Sequence, residues 1–207
     1  MKLYYAPGAC SLSPHIVLRE LGLPFELEKV DTKAGKTEKG ADYRIVNPKG
    51  AVPTLELDDG QRLTEGPAIV QYLADRKPEA GLIPAAGSME RYRVQEWLNY
   101  IATELHKRFS PLYSPKAPVE WKAALREQIG TQLDYVSLAL GEKPYLLGAQ
   151  PTVADFYLFV ILSWGRSVEV DIGRWPALKA YWKRIGARPS VRAALQAEGL
   201  ASPAGSR

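Results

Sequence analysis

The chain has a single cysteine, and its surroundings make it a candidate for chemistry. Cys10 lies in Lys2-Leu-Tyr-Tyr-Ala-Pro-Gly-Ala-Cys10-Ser-Leu-Ser-Pro14, after a short apolar strand and at the mouth of a helix. A thiol there faces unpaired backbone N–H groups and the positive end of the helix dipole. Both favour the thiolate and lower the thiol pKa. The same residue reads equally as a small buried hydrophobe.

Three other places could act with it. In Ala51-Val52-Pro53-Thr54, a cis Val52–Pro53 bond turns the Val52 N–H and C=O towards open space, ready to pair with an extended peptide. Only about one X–Pro bond in twenty is cis, so the residues themselves do not establish it. In Thr64-Glu65-Gly66-Pro67, Glu65 suits the dipole of a first helical turn. Its carboxylate could instead accept from a ligand ammonium while the Gly66 N–H donates to a ligand carboxylate, which is the pattern of an α-amino-acid headgroup. Asn99, Thr103 and His106 fall at i, i+4 and i+7 of a helical pattern. That stripe reads as a solvated face, a contact with a partner helix, or a setting for His106 as general base to a thiol. His15 reads as packing or polar filler.

The elements that must position these groups follow from patterning. Lys2–Tyr5 and Phe25–Val30 read as strands joined by a helix that Ser11 or Ser13 caps and Gly22 stops, so they should be parallel. Residues 33–39 form a polar, lysine-rich loop, and Ala41–Val46 a short helix. Thr54–Leu57 and Arg62–Thr64 flank Asp58-Asp59-Gly60, a hairpin signal, and Pro67–Arg76 reads as a helix. The order β-α-β-α-β-β-α is α+β with a mixed four-stranded sheet. Residues 78–88, with Pro78, Gly81, Pro84 and Gly87, form a linker after a first domain over 1–77. Helical patterns alone follow over 89–201: Met89–Phe109, Pro118–Leu140, Thr152–Trp164, Pro176–Ala187 and Ser190–Glu198, with 202–207 as a tail. Thr152-Val-Ala-Asp155 is a capping box, so Asp155 reads as a folding signal.

Composition narrows the function. One cysteine excludes an internal disulfide framework and a cysteine-rich zinc site, and fits a reducing, cytoplasmic compartment. With only two histidines, a protein-ligated metal is not expected. No N-terminal signal is visible, and no apolar run approaches the roughly 18 residues of a membrane span. The net charge of +4 comes from scattered lysines and arginines without a basic stripe interleaved with aromatics, so neither nucleic acid nor membrane is expected as a partner. Such a surface would draw in a small anionic ligand.

Five fragments then stand in one order and spacing: Tyr4-Tyr-Ala-Pro-Gly-Ala-Cys10-Ser-Leu, Asn47-Pro-Lys-Gly-Ala-Val-Pro53, Glu65-Gly-Pro-Ala-Ile69, Glu96-Trp-Leu-Asn99 followed by Ala102-Thr-Glu-Leu-His106-Lys, and Thr152-Val-Ala-Asp155. Together they resemble the glutathione transferases, specifically the bacterial beta class, over essentially the whole chain. The resemblance implies a thioredoxin-like first domain of strand order 2-1-3-4, an all-helical second domain and a homodimer. It implies a cis Pro53, with the Val52 backbone on the cysteinyl part of glutathione and Glu65 and Gly66 on the γ-glutamyl end. Cys10 would face the glutathione sulfur with His106 and Lys107 near it, and Asn99, Thr103 and Glu104 would line the same cleft, some from the partner subunit. Phe109, Tyr113 and Trp164 are the expected wall for the electrophile.

Two departures stand out. Many relatives carry serine or threonine at the Gly66 position, and a missing hydroxyl costs about 1 kcal/mol of binding. The lysine often found at the Gly35 position is absent, so Lys36 or Lys33 would meet the glycyl carboxylate. The expected activity is conjugation of the glutathione thiolate to hydrophobic electrophiles, with glutathione as co-substrate and no metal. Glutathione-dependent thiol–disulfide exchange or peroxidase chemistry through a Cys10–glutathione mixed disulfide is a second expectation. A non-catalytic, ligand-binding dimer of the same fold is the third.

Overall fold

A computed structural model describes residues 1–200. The expected tail at 202–207, and the last residue of the expected helical domain, lie outside the described residues.

The sheet forms where the apolar alternation places it. β1 (Lys2–Tyr5) pairs in parallel with β2 (Glu26–Asp31), Leu3 opposite Leu27, across the helix α1 (Leu12–Leu21). β4 (Thr54–Glu56) lies antiparallel on the other side of β1, and β5 (Arg62–Thr64) antiparallel to β4. Gly60 takes φ 82° in the turn between them, a conformation that favours glycine. The sheet has five strands instead of the four expected, in the order β3 (Lys36–Thr37), β2, β1, β4, β5. The extra strand is β3, inside the segment read as a loop, antiparallel to Val30 and Asp31 of β2. Two residues are too few to show alternation, and backbone bonds such as Gly35 N–H to Asp31 O at 2.8 Å and Glu38 N–H to Lys29 O at 2.8 Å hold the turn in place.

The start of α1 differs from the expectation that a serine side chain caps it. Ser11 is the N-cap residue but turns its hydroxyl back to β1, where Oγ accepts from Ala6 N–H at 3.1 Å and donates to Ala6 O at 3.2 Å. The Ser13 hydroxyl is buried with no hydrogen-bond partner among the described residues. Backbone carbonyls serve the first turn instead, with Leu12 N–H on Ala9 O and Ser13 N–H on Cys10 O.

The short helix α2 (Tyr43–Val46) ends at a buried anchor for the loop that follows. The fully buried Tyr43 donates its hydroxyl to Ala51 O at 3.0 Å and accepts from the Thr54 hydroxyl at 2.8 Å. Asn47 Nδ2 donates to the same Ala51 carbonyl at 2.7 Å. The next peptide bond, Val52–Pro53, is cis. α3 (Gly66–Asp75) closes this part of the chain, burying Ile69, Val70, Leu73 and Ala74.

The chain divides into two compact units: residues 1–81 with the segment from Gly186 onward, and Leu82–Ile185. The last helix, α9 (Pro189–Ala197), thus packs on α1 although composition groups it with the helices before it. In the second unit a long helical run comprises α4 (Met89–Tyr100), a π-helical turn over Ile101–His106 and α5 (Lys107–Phe109). It is followed by α6 (Val119–Leu140), α7 (Val153–Ser163) and α8 (Pro176–Gly186). Every residue of α7 from Val153 to Leu162 is buried.

Asp155 does more than cap α7. Its carboxylate accepts from Thr152 N–H at 2.7 Å, the Thr152 hydroxyl at 3.0 Å, Leu146 N–H at 2.9 Å and the Tyr181 hydroxyl at 2.9 Å. Burial pushes its pKa above the usual value, and these donors pull it the other way. A lost helix cap alone costs about 1 kcal/mol. Asp155→Ala also strands buried donors, so it should lower stability by about 3 kcal/mol in urea unfolding followed by circular dichroism.

Candidate functional site

Cys10 sits in the turn between β1 and α1 and is partly exposed. Its Sγ donates to the Val52 carbonyl at 3.3 Å. The thiol therefore lies beside the backbone edge that the Val52–Pro53 motif singled out. Both groups are held from behind. The loop before Val52 is fixed by Tyr43 and Asn47 on Ala51 O, and the turn before Cys10 by a buried carboxylate from near the far end of the described chain.

That carboxylate is Glu198. Its Oε2 accepts from Gly8 N–H at 2.9 Å and its Oε1 lies 2.8 Å from His15 Nδ1, with both side chains wholly buried. Arg19 Nε–H donates to His15 Nε2 at 2.8 Å, so the ring proton sits on Nδ1 and points at Glu198. His15, expected as packing, is the middle of a relay from Arg19 to the turn that carries Cys10. Gly8 needs its φ of 71° there. No local sequence pattern could show a pairing across 183 residues.

Glu65 precedes α3 in a positive-φ conformation of 70°, unusual for a residue with a side chain. Its carbonyl accepts from both Ala68 N–H and Ile69 N–H at 3.0 Å. Its carboxylate does not fold back onto the helix. It pairs with Lys49 Nζ at 2.6 Å, and Lys49 also donates to Thr64 Oγ1 at 2.9 Å. The Gly66 N–H has no partner among the described residues.

Lys33 and Lys36 line a cavity of about 440 Å³ together with Asp42, Arg44 and Lys49. The structure thus brings the expected lysines to one cationic hollow and adds two that the motif reading passed over. Lys49 lay inside the quoted Asn47–Pro53 fragment. Arg44 is set by α2, where Asp42 accepts its N–H at 2.9 Å.

In the second unit, His106 closes the π-helical turn, a feature often found at functional sites. The wider turn changes the angular spacing assumed for the stripe at Asn99, Thr103 and His106. His106 Nδ1 meets the buried Tyr157 hydroxyl at 2.6 Å, and its ring packs edge-on to Trp164 at 4.9 Å. Thr103 instead donates to Asn99 O at 3.1 Å, and Glu104 pairs with Arg108 at 2.7 Å. Asn99, Thr103 and Lys107 are exposed.

Trp164 gathers the expected aromatic wall, with Phe109 at 6.0 Å and Tyr113 at 6.4 Å between ring centroids. Phe109 departs from expectation, because it is fully buried and supports Trp164 from within the core. Tyr113 is exposed and bonds Ser167 at 2.8 Å. Desolvation of its half-covered ring raises its pKa, only partly offset by that bond.

Comparison with known proteins bears on both units. Residues 8–76 match the family model for the glutathione S-transferase N-terminal domain, and residues 100–189 the model for its C-terminal domain. The glutathione S-transferase GstA of Escherichia coli O157:H7 is 50% identical over 200 residues, covering 97% of this chain and 100% of that protein. The bacterial beta-class enzyme of Sphingomonas chungbukensis has a solved structure with a TM-score of 0.94 at 48% identity, covering 97% of this chain and 100% of that one. A sphingomonad glutathione S-transferase solved in complex with glutathione gives 0.93 at 49% identity, with the same coverage. Among the described residues, no helix is long and apolar enough to cross a membrane.

The Glu198 relay makes a prediction. Breaking a buried, hydrogen-bonded charge is costly, so Glu198→Ala should lower stability by about 3 kcal/mol in chemical denaturation. It should also loosen the turn at Gly8, so that iodoacetamide alkylates Cys10 faster in the native state. Unchanged alkylation with unchanged stability would contradict the anchoring role.

Proposed function

The chain belongs to the glutathione S-transferase family and is a glutathione transferase, and from that premise we propose how its residues bind and activate the thiol. The observation that carries the reading is the contact between Cys10 Sγ and the Val52 carbonyl at 3.3 Å. It sets a thiol against a backbone edge suited to an extended peptide, in the same unit as Glu65 at the start of a helix.

In this reading glutathione lies along the first unit. Its cysteinyl N–H and C=O pair with the Val52 backbone beside Pro53. The γ-glutamyl ammonium meets Glu65, and its carboxylate meets the Gly66 N–H. The glycyl carboxylate enters the cationic cavity at Lys36, with Lys33 and Arg44 adding to the same field.

The Val52 carbonyl has two lone pairs and can accept the peptide N–H beside the Cys10 thiol. The Ser11 N–H and the start of α1 then favour negative charge near the glutathione sulfur. The glutathione thiolate attacks the electrophile, forming a carbon–sulfur bond as the leaving group departs with its electron pair. We assign His106 to proton handling near the thiol, oriented by Tyr157. Asn99, Thr103, Glu104 and Lys107 belong to the same proposal as contributors to glutathione binding. Tyr113 and Trp164 are assigned to the electrophile, where an aromatic lining accepts many substrates. We also assign a homodimer, in which the exposed Asn99 and Thr103 serve a partner subunit.

Titration calorimetry tests the binding mode. Glu65→Ala should weaken glutathione binding by about 2 kcal/mol, the cost of losing a charge-assisted partner, whereas Cys10→Ala should retain most affinity. Equal binding by wild type and Glu65→Ala would refute the γ-glutamyl assignment. Light scattering over a wide dilution range should give twice the 22.9 kDa chain mass, and a stable glutathione-binding monomer would refute the dimer.

A further inference from the structure

The γ-glutamyl end as so far described is short of one partner. Glu65 answers the ammonium of the ligand, but its α-carboxylate has only the Gly66 N–H, because Gly66 offers no hydroxyl. Lys49 stands at this spot. Its Nζ donates to Glu65 Oε1 at 2.6 Å and to Thr64 Oγ1 at 2.9 Å. An ammonium has three N–H donors, and the third has no partner among the described residues.

The backbone of Lys49 is also held. Lys49 N–H donates to Asn47 Oδ1 at 3.1 Å, and Gly50 N–H to Asn47 O at 2.8 Å, with Gly50 at φ 66°. Asn47 Nδ2 fixes the Ala51 carbonyl next to Val52. One buried asparagine thus sets both Lys49 and the approach to the peptide-binding edge.

We propose that Lys49 is a substrate-binding residue that takes the α-carboxylate of the γ-glutamyl group while Glu65 takes the ammonium on the same carbon. The inference rests on the reading of Glu65 and Gly66 given above. A cation and an anion 2.6 Å apart form the complement of an α-amino-acid zwitterion. The ligand completes an alternating ring of four charges. Lys49 keeps Glu65 and Thr64 and adds the ligand carboxylate through its third N–H. This charge replaces the hydroxyl that Gly66 lacks, and it makes the site select for the intact headgroup over one missing either charge.

The contrary view is that Lys49 merely blocks Glu65 and must be displaced, in which case its removal tightens binding. Titration calorimetry with Lys49→Met separates the two. The side chain is more than half exposed, so the variant should fold with an unchanged melting temperature. We expect its dissociation constant for glutathione to rise about tenfold, and Lys49→Arg to stay within about threefold of wild type. The probe 4-aminobutyryl-cysteinylglycine keeps the ammonium and lacks the α-carboxylate. It should bind wild type and Lys49→Met within about twofold of each other. Unchanged or tighter glutathione binding by Lys49→Met, or an equal loss for the probe, overturns the assignment. Glu65→Ala in the same series distinguishes the levels. Loss in Glu65→Ala with none in Lys49→Met overturns Lys49 alone, and loss in neither overturns the site reading beneath it.

Discussion

A single buried carboxylate, Glu198, ties the thiol-bearing turn to a segment near the far end of the described chain. It joins residues 190 positions apart by accepting Gly8 N–H, and it accepts the His15 proton that Arg19 orients. A buried carboxylate is costly to desolvate, so it persists only where donors satisfy it. Here those donors are the turn that leads to Cys10 and the helix that leaves it. The sheet gives β1 a fixed direction, and α9 against α1 gives the turn a fixed end. The first unit is therefore built from both ends of the described chain, and the thiol position depends on that closure.

The second fixed point is the loop at Asn47–Val52. Tyr43, wholly buried, and Asn47 both donate to Ala51 O, so moving the loop takes a shared acceptor away from two buried side chains. Cys10 then reaches Val52 from the other side. The two supports thus meet at neighbouring carbonyls, those of Ala51 and Val52. The proposed peptide contact at Val52 is a main-chain one, and its position therefore depends on how this loop is held rather than on the Val52 side chain.

What was legible in the sequence follows from range. Hairpin glycine, capping box, helix stops and strand alternation are encoded within a few residues, and the corresponding elements lie where those signals stand. The motif residues Cys10, Val52, Pro53, Glu65 and His106 also stood out by type and neighbours. Other features had no local signal. β3 is too short to alternate, and the π-helical turn at Ile101–His106 has an ordinary amphipathic sequence. Ser11 looked like a cap by position, yet a nearer acceptor and donor at Ala6 took its hydroxyl. Phe109 is expected in the electrophile wall with Tyr113 and Trp164, but it is fully buried and packs against Trp164 from within the core. The Glu198–His15 contact is purely tertiary.

Exposure sets the terms on which the charged residues act. The Glu65 side chain is 68% exposed and that of Lys49 is 55% exposed. A pair in that setting contributes little to stability, because water screens it. The same pair gains strength once a ligand covers it, since the interaction between charges grows as the effective dielectric falls. Glu198, Tyr43 and Asp155, which hold the fold, are buried, while Glu65 and Lys49, the proposed binding pair, are open to solvent. This separation lets the binding charges vary with little cost to the fold. In the proposed site the headgroup would be recognised as it is desolvated, when a mismatched charge is most expensive.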